Sequence, residues 1–357
     1  MDWTRQDRAD LIRVYMVDPR SLEVRGELEG VLLDGSSVTW GYETDTRVSG
    51  TIKALDSNWI EHSLLRVVHE VPAEGYSNAL ATLVVTADPS EHAHGATVTT
   101  YECHSALSML EADYLPYHLT IGANARSNDV VAKLLGGAGR PYSIQGDAIN
   151  KRYSEAVVYP IGDSRLSDLF DIADASGNRI DVDGMGNVTW GRYVEPSKRA
   201  TTWALDMAAA DTNVLDGLES SSTRLSDPSR IVVTYKGSEE RTVNGKKETV
   251  DVEIAAYADR TGEQTAAQRG YVIAEVVSID ELEPATKAQA QLEANSRIPS
   301  VDRREWQFSM LYMPIAAGDV LELTIPDGPD AGTHRALARN MELDLKTMVM
   351  KVTAKEI

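Results

Sequence analysis

The chain cannot cross-link itself: Cys103 is the only cysteine in 357 residues, so a disulfide framework is excluded and stability must come from packing. Long apolar runs are missing too. No stretch approaches the roughly 18 consecutive apolar residues of a membrane span, which predicts no membrane insertion by this chain. The N-terminus, MDWTRQDRAD, has no apolar run behind a basic region, so no secretory signal is expected and synthesis in a cytoplasm is predicted. Phenylalanine occurs twice, which leaves little material for a sugar-stacking cleft. Lys and Arg vanish between Arg66 and Arg126, while Glu70, Glu74, Asp88, Glu91, Glu102, Glu111 and Asp113 all fall there. With 35 basic and 55 acidic residues the net charge is −20. Such a surface repels phosphates and argues against sequence-specific nucleic-acid binding, yet it suits a conduit to which DNA must not stick.

What is present reads mostly as strands. Period-2 alternation between turn residues runs through SLEVRGELEG, VLLDGSSVTWGYE with a turn at Asp34-Gly35, TRVSGTIKAL, LLRVVHEV, ALATLVVTAD and GATVTTYEC. Short strands at this spacing predict a barrel or sandwich over residues 1–115. From 116 to 196 the grammar changes. SNDVVAKLLGG offers a cap at Ser127 or Asn128, an apolar face of Val130, Val131, Leu134 and Leu135, and a stop at Gly136. GDSRLSDLFDIADASG repeats it, with Leu166, Leu169, Phe170 and Ala173 on one face and Gly177 at the end. Two short helices on a small sheet are expected.

Residues 197–357 return to strands. RIVVTYKG, TVDVEIAAY and GYVIAEVV are apolar runs, with a hairpin turn expected at Asn244-Gly245. A helix inserted at about 284–298 (PATKAQAQLEANSRI) precedes regular alternation. Trp306, Phe308, Met310 and Tyr312 share a face, as do Leu321, Leu323 and Ile325, then Met341, Leu343 and Leu345, then Met348, Met350 and Val352. The expected fold class is mainly β with an α+β middle: two antiparallel barrel-like domains flanking a small helix-containing domain.

Four groupings carry ligand-type residues. IDVDGMGNVTWGRY, residues 180–193, starts like a calcium loop with Asp181, Asp183 and Gly186, but Met185 offers no hard oxygen and Arg192 stands where a bidentate Glu is required. A hairpin explains more: Ile180 and Val182 alternate with aspartates, Val188 and Trp190 with polar residues, and Gly184 to Asn187 form the turn. That reading puts Asp181 and Asp183 on the solvent side and packs Val182 or Trp190 on the helix ending at Gly177. His92, His94, Cys103 and His104 are zinc ligands by type, yet adjacent residues of a strand point to opposite faces. HEVPA from His69 lacks the second histidine of a zinc protease and carries Pro72, so it reads as a strand end. NGKKET resembles the tail of a phosphate loop, but Lys247 replaces the magnesium-holding hydroxyl. No G-x-S-x-G elbow occurs, and the abundant carboxylates read as a solvated face before a glycosidase pair. No catalytic, metal or cofactor residue is assigned.

Three stretches taken together are similar to the central hub proteins of phage tail baseplates and tail tips. They are GELEGVLLDGSSVTWGYETDTRVSGTIKAL, SDLFDIADASGNRIDVDGMGNVTWGRYVEP, and LYMPIAAGDVLELTIPDGPDAGTHRALARNMELDLKTMVMKVTAKEI. The resemblance covers most of the chain. It implies a homotrimeric virion protein of the tail tip, without enzymatic activity, whose two barrel-like domains make a pseudo-sixfold ring. Such a ring joins the sixfold tail tube or distal tail protein to threefold tip, spike or fibre proteins. Its bore lies on the path of the tape-measure protein and the DNA, which ties it to host attachment and genome ejection. The hub of a contractile injection apparatus carries the same resemblance. Many relatives continue into a peptidase, lysozyme or carbohydrate-binding extension, whereas this chain stops at Ile357 after its last strand. The rival readings are a cell-wall-degrading enzyme using a carboxylate pair and a host-glycan-binding tail protein.

Overall fold

A computed structural model describes residues 3, 9–153, 155–209, 212–215, 217–221, 228–243, 246–261, 265–279, 286–297 and 304–357. Eight strands come first: β1 (Leu11–Val17), β2 (Val24–Glu27), β3 (Val31–Gly41), β4 (Val48–Leu55), β5 (Leu64–Val71), β6 (Tyr76–Ala87), β7 (Ser90–Ala93) and β8 (Ala96–Ser105). All pair antiparallel with their neighbours among these strands. The turn expected at Asp34-Gly35 is instead an irregularity inside β3. Pairing passes from Leu32 opposite Lys53 to Ser37 opposite Thr51, and Gly35 sits at φ +76°, a conformation that glycine adopts without Cβ strain. The hydroxyl of Ser36 fills the gap, donating to Leu32 O at 2.6 Å and accepting from Lys53 N at 2.9 Å.

The small helical segment follows: α1 (Leu107–Glu111), β9 (Leu119–Ile121), α2 (Ser127–Gly137), β10 (Tyr142–Ile144), β11 (Val157–Tyr159), α3 (Arg165–Ser176), β12 (Asn178–Val182) and β13 (Val188–Arg192). Its core gathers Val131, Leu134 and Leu135 from α2, Leu166, Leu169 and Ile172 from α3, and Ile180, Val188 and Trp190 from the last two strands. Ser164 caps α3 by accepting from Ser167 N at 3.1 Å, and Gly177 ends it at φ +70°. The α2 cap differs from expectation. Arg126 occupies the position without a side-chain bond, because the Ser127 hydroxyl is drawn inward to Ile149 O at 3.2 Å; the helix also runs past Gly136 to Gly137.

The chain goes on through β14 (Trp203–Asp206) and β15 (Glu219–Ser221). Residues 220–305, with Glu356, form a second compact unit. Here β16 (Arg230–Val243) pairs antiparallel with β17 (Lys246–Asp259), in register from Arg230 opposite Asp259 to Val243 opposite Lys246. After α4 (Ala266–Arg269), strand β18 (Ala274–Ile279) lies parallel to β16. The expected helix is α5 (Lys287–Arg297), whose Ala290 and Ala294 pack on Val233, Tyr235, Ala256 and Ala258. The Asn244-Gly245 turn lies outside the described residues, as do the ends of the 284–298 stretch.

The last strands are β19 (Glu305–Leu311), β20 (Val320–Ile325), β21 (Gly332–Asp344) and β22 (Val349–Glu356). They do not make a sheet of their own. The order β15-β19-β22-β21-β3-β4-β8-β6-β5-β1-β2, with β7, β14 and β20 attached, is one fourteen-stranded sheet, joined where Met341 of β21 faces Trp40 of β3. The fold is mainly β, as expected, but that path has two ends and no closed barrel occurs among the described residues. Alternation reveals which face a residue takes and not which strand lies beside it, so it is equally compatible with an open sheet. Trp306, Phe308, Met310, Leu321, Leu323, Met341, Leu343 and Met350 all enter one core together with Val14, Val38, Ile52 and Leu83 from the first strands.

Candidate functional site

The hairpin of residues 180–193 forms as β12 and β13, with Asn178 opposite Arg192 and Val182 opposite Val188. Its turn is closed from inside. Asp183 N and Asn187 O pair at 3.0 Å, while the Asp183 carboxylate accepts from Asn187 N at 2.8 Å and from its side-chain amide at 2.9 Å. Asp183 is exposed, as expected. Asp181 is half-buried and accepts from Arg179 Nε at 3.0 Å. Each carboxylate therefore has a structural partner. Trp190 is fully buried in the core that it shares with Leu166, Leu169 and Ile172 of α3, and its indole nitrogen donates to Asn128 Oδ1 of α2 at 3.1 Å.

The tip of this hairpin docks on the main sheet. Arg66 of β5, only 5% exposed, donates from Nε to Thr82 Oγ1 at 3.0 Å and from Nη2 to Leu22 O at 3.0 Å and Met185 O at 2.9 Å. The Thr82 hydroxyl donates onward to Gly184 O at 2.9 Å. Burial lowers the Arg66 pKa, and nearby Asp183 pulls it back up. Because guanidinium stays protonated in proteins, the buried charge must be met by carbonyls and by that carboxylate. Close approach explains the glycines: a Cβ on Gly184 falls 1.9 Å from Ala79 O, and one on Gly186 falls 2.9 Å from Thr82 Cβ.

The zinc-type residues are not assembled. Cys103 is buried in the main core, where desolvation first and Glu102 second push its thiol up to about 12. His104, its neighbour on β8, takes the opposite face, and His92 bonds Thr97 at 2.8 Å through Nδ1. His69 lies near the end of β5 and is fully buried, with Nε2 at 2.6 Å from Asp10 and its ring edge-on to Tyr312 at 4.9 Å. Among the described residues no group of three or more His, Cys, Asp or Glu is placed to hold a metal.

One carboxylate was not singled out by the sequence. Asp168 of α3 is fully buried, neither oxygen has a hydrogen-bond partner among the described residues, and its pKa is pushed up to about 6. Burial is the main cause; Asp163 and Asp171 add to it, and Arg165 opposes them. The apolar i, i+3 grammar around it hides a polar residue turned inward. A raised carboxylate pKa means that the folded state binds the proton more tightly than the unfolded chain. The penalty is absent below the ordinary value near 4, grows as pH rises through about 6, and is complete above it. Asp168→Asn is therefore expected to stabilise the protein at pH about 7.5 by on the order of 2 kcal/mol and to change little near pH 4. Denaturant midpoints across that range test this; an identical pH slope in parent and variant refutes it.

No family model matches the chain, and no curated protein matches it in sequence. Solved structures do match. The tail protein from Neisseria meningitidis MC58 superposes with a TM-score of 0.63 at 10% identity, covering 97% of this chain and 96% of that one. The fold is that of phage tail proteins. The 43 kDa tail protein of prophage MuSo2 from Shewanella oneidensis gives 0.59 at 11% identity, over 97% of this chain and 98% of its own. A chain of the Francisella PdpA-VgrG complex gives 0.52 at 12% identity; there 99% of this chain matches 53% of the other.

Proposed function

We propose that the chain is a structural hub of a phage tail tip or baseplate: a homotrimeric ring joining the sixfold tail tube or distal tail protein to threefold tip, spike or fibre proteins. The carrying observation is the end-to-end match in both directions with two tail proteins, so that the whole chain and not a shared module is alike. Its place is the virion, and its bore is the passage for the tape-measure protein and the DNA. The −20 charge supports this, because an acidic wall repels the phosphates that travel past it. The role asks for assembly surfaces and no catalytic group. Obligate contacts between protomers in such rings bury more than about 2,000 Å².

Light scattering of the purified protein with the tail tube or distal tail protein added is expected to give three times the 39.0 kDa chain mass per ring, with rings visible by electron microscopy. A particle that stays monomeric at high concentration and builds no ring with either partner would refute the hub.

A further inference from the structure

In a chain of net charge −20, one cleft brings two arginines together and balances them with two aspartates. It encloses about 270 Å³ and is lined by Trp40, Gly41, Arg47, Arg179, Asp181 and Tyr312, among others. Arg47 Nη1 donates to Tyr42 O at 2.9 Å and Thr44 O at 2.8 Å, and Arg179 Nη2 donates to the same Tyr42 O at 2.7 Å. A single carbonyl oxygen thus holds two guanidiniums side by side. Arg179 is further fixed by the Tyr42 ring, 3.9 Å from its centroid, and by Asp181 on its Nε. Asp183 also lines the cleft, but both its oxygens are engaged by Asn187.

Arg47 is left over. It has no carboxylate partner among the described residues, its Nε is buried without an acceptor, and its Nη2 reaches Ile180 O only at 3.5 Å. Desolvation and the facing Arg179 both disfavour its charge, while Asp181 and Asp45 favour it. A guanidinium held by backbone carbonyls alone has no formal negative charge bonded to it, and a carboxylate brings two oxygens that match guanidinium geometry. The volume suits a short side chain, and Trp40, Tyr312, Pro314 and Ile315 offer apolar walls for its methylenes.

We propose that this cleft is a binding site for a carboxylate carried on a peptide, an Asp or Glu side chain or a chain terminus, with Arg47 and Arg179 as the donor pair. The site stands whether or not the chain builds a ring, and in an assembly it would take an acidic residue of a neighbouring protein.

The test uses the full chain labelled with nitrogen-15 in arginine. N-acetyl-aspartate methylamide is titrated against the uncharged N-acetyl-asparagine methylamide at constant ionic strength. The aspartate probe is expected to shift the Arg47 Nε–H signal saturably, with half-saturation on the order of millimolar, and the asparagine probe to leave it unmoved. Read on the Arg179 signal, Arg47→Lys is expected to weaken binding at least about tenfold, since lysine cannot present the fork; Arg20→Lys, an exposed control, should bind as the parent does. Arg179→Lys, read on the Arg47 signal, serves if Arg47→Lys fails to fold. No saturable shift, an equal response to the asparagine probe, or tighter binding of inorganic phosphate than of the aspartate probe would each overturn the assignment.

Discussion

Trp190→Ala is expected to lower the stability of the segment from α1 to β13 by about 3–5 kcal/mol, the range for deleting a large buried aromatic. The side chain is 0% exposed, stands opposite Ile180 on β12 and Ile144 on β10, and belongs to the core that both helices share. Its loss leaves a cavity that α2 and α3 cannot close without abandoning their contacts with the sheet, and it orphans Asn128 Oδ1. Trp190→Phe keeps most of the volume and is expected to cost less than half as much. Because the chain divides into two compact units, the readout is amide hydrogen exchange, which resolves local from global loss. Protection should fall in α2 and α3 far more than in β1 to β6. A uniform small loss across the chain would show that the indole does not organise this core.

Gly184→Ala should cost about 3 kcal/mol for a single methyl group, near the upper end for overpacking. The added carbon meets the Ala79 carbonyl, a backbone atom of β6 that has no rotamer to give way. The tip must lift, and with it go the bonds from Thr82 to Gly184 and from Arg66 to Met185. Arg66→Met removes one of the same bonds, so the double variant should lose less than the sum of the two. Met185→Ala, an exposed side chain at the same tip, should shift the denaturation midpoint by no more than about 0.5 kcal/mol equivalent. A Gly184→Ala protein as stable as its parent would remove the docking interpretation.

These residues also mark how far the sequence could be read. The alternation from Trp306 to Val352 named inward side chains correctly, because a strand's face follows from its own residues alone. The stop at Gly177 was legible for the same reason, since a left-handed cap is a local requirement. The hairpin turn was legible as a turn, but the need for glycine at 184 arises from Ala79, far away in the chain, and no local pattern contains that contact. The aspartates illustrate both cases. Asp183 closes its own turn and was placed on the solvent side, whereas half-buried Asp181 belongs with Arg179 and the cleft floor. Arg47 and Asp168 gave no signal, because a lone charged residue looks the same in sequence whether it is solvated or turned inward. That the described strands make an open sheet and not a closed barrel was hidden for a related reason: the join of β3 to β21 depends on partner choice, which alternation does not encode.

That join sets a clock on biosynthesis. Gly41 pairs with Asn340, so about 300 residues must be translated before β3 acquires its second neighbour. At roughly 5–20 residues per second this is on the order of 15–60 seconds during which a strand edge beside Trp40 stands open on the ribosome. The early strands share their core with Trp306, Leu323 and Met341, so they wait half-covered until the end of synthesis. Nascent chains of this protein are consequently expected to be chaperone clients throughout elongation, and to become independent only when the last strands emerge.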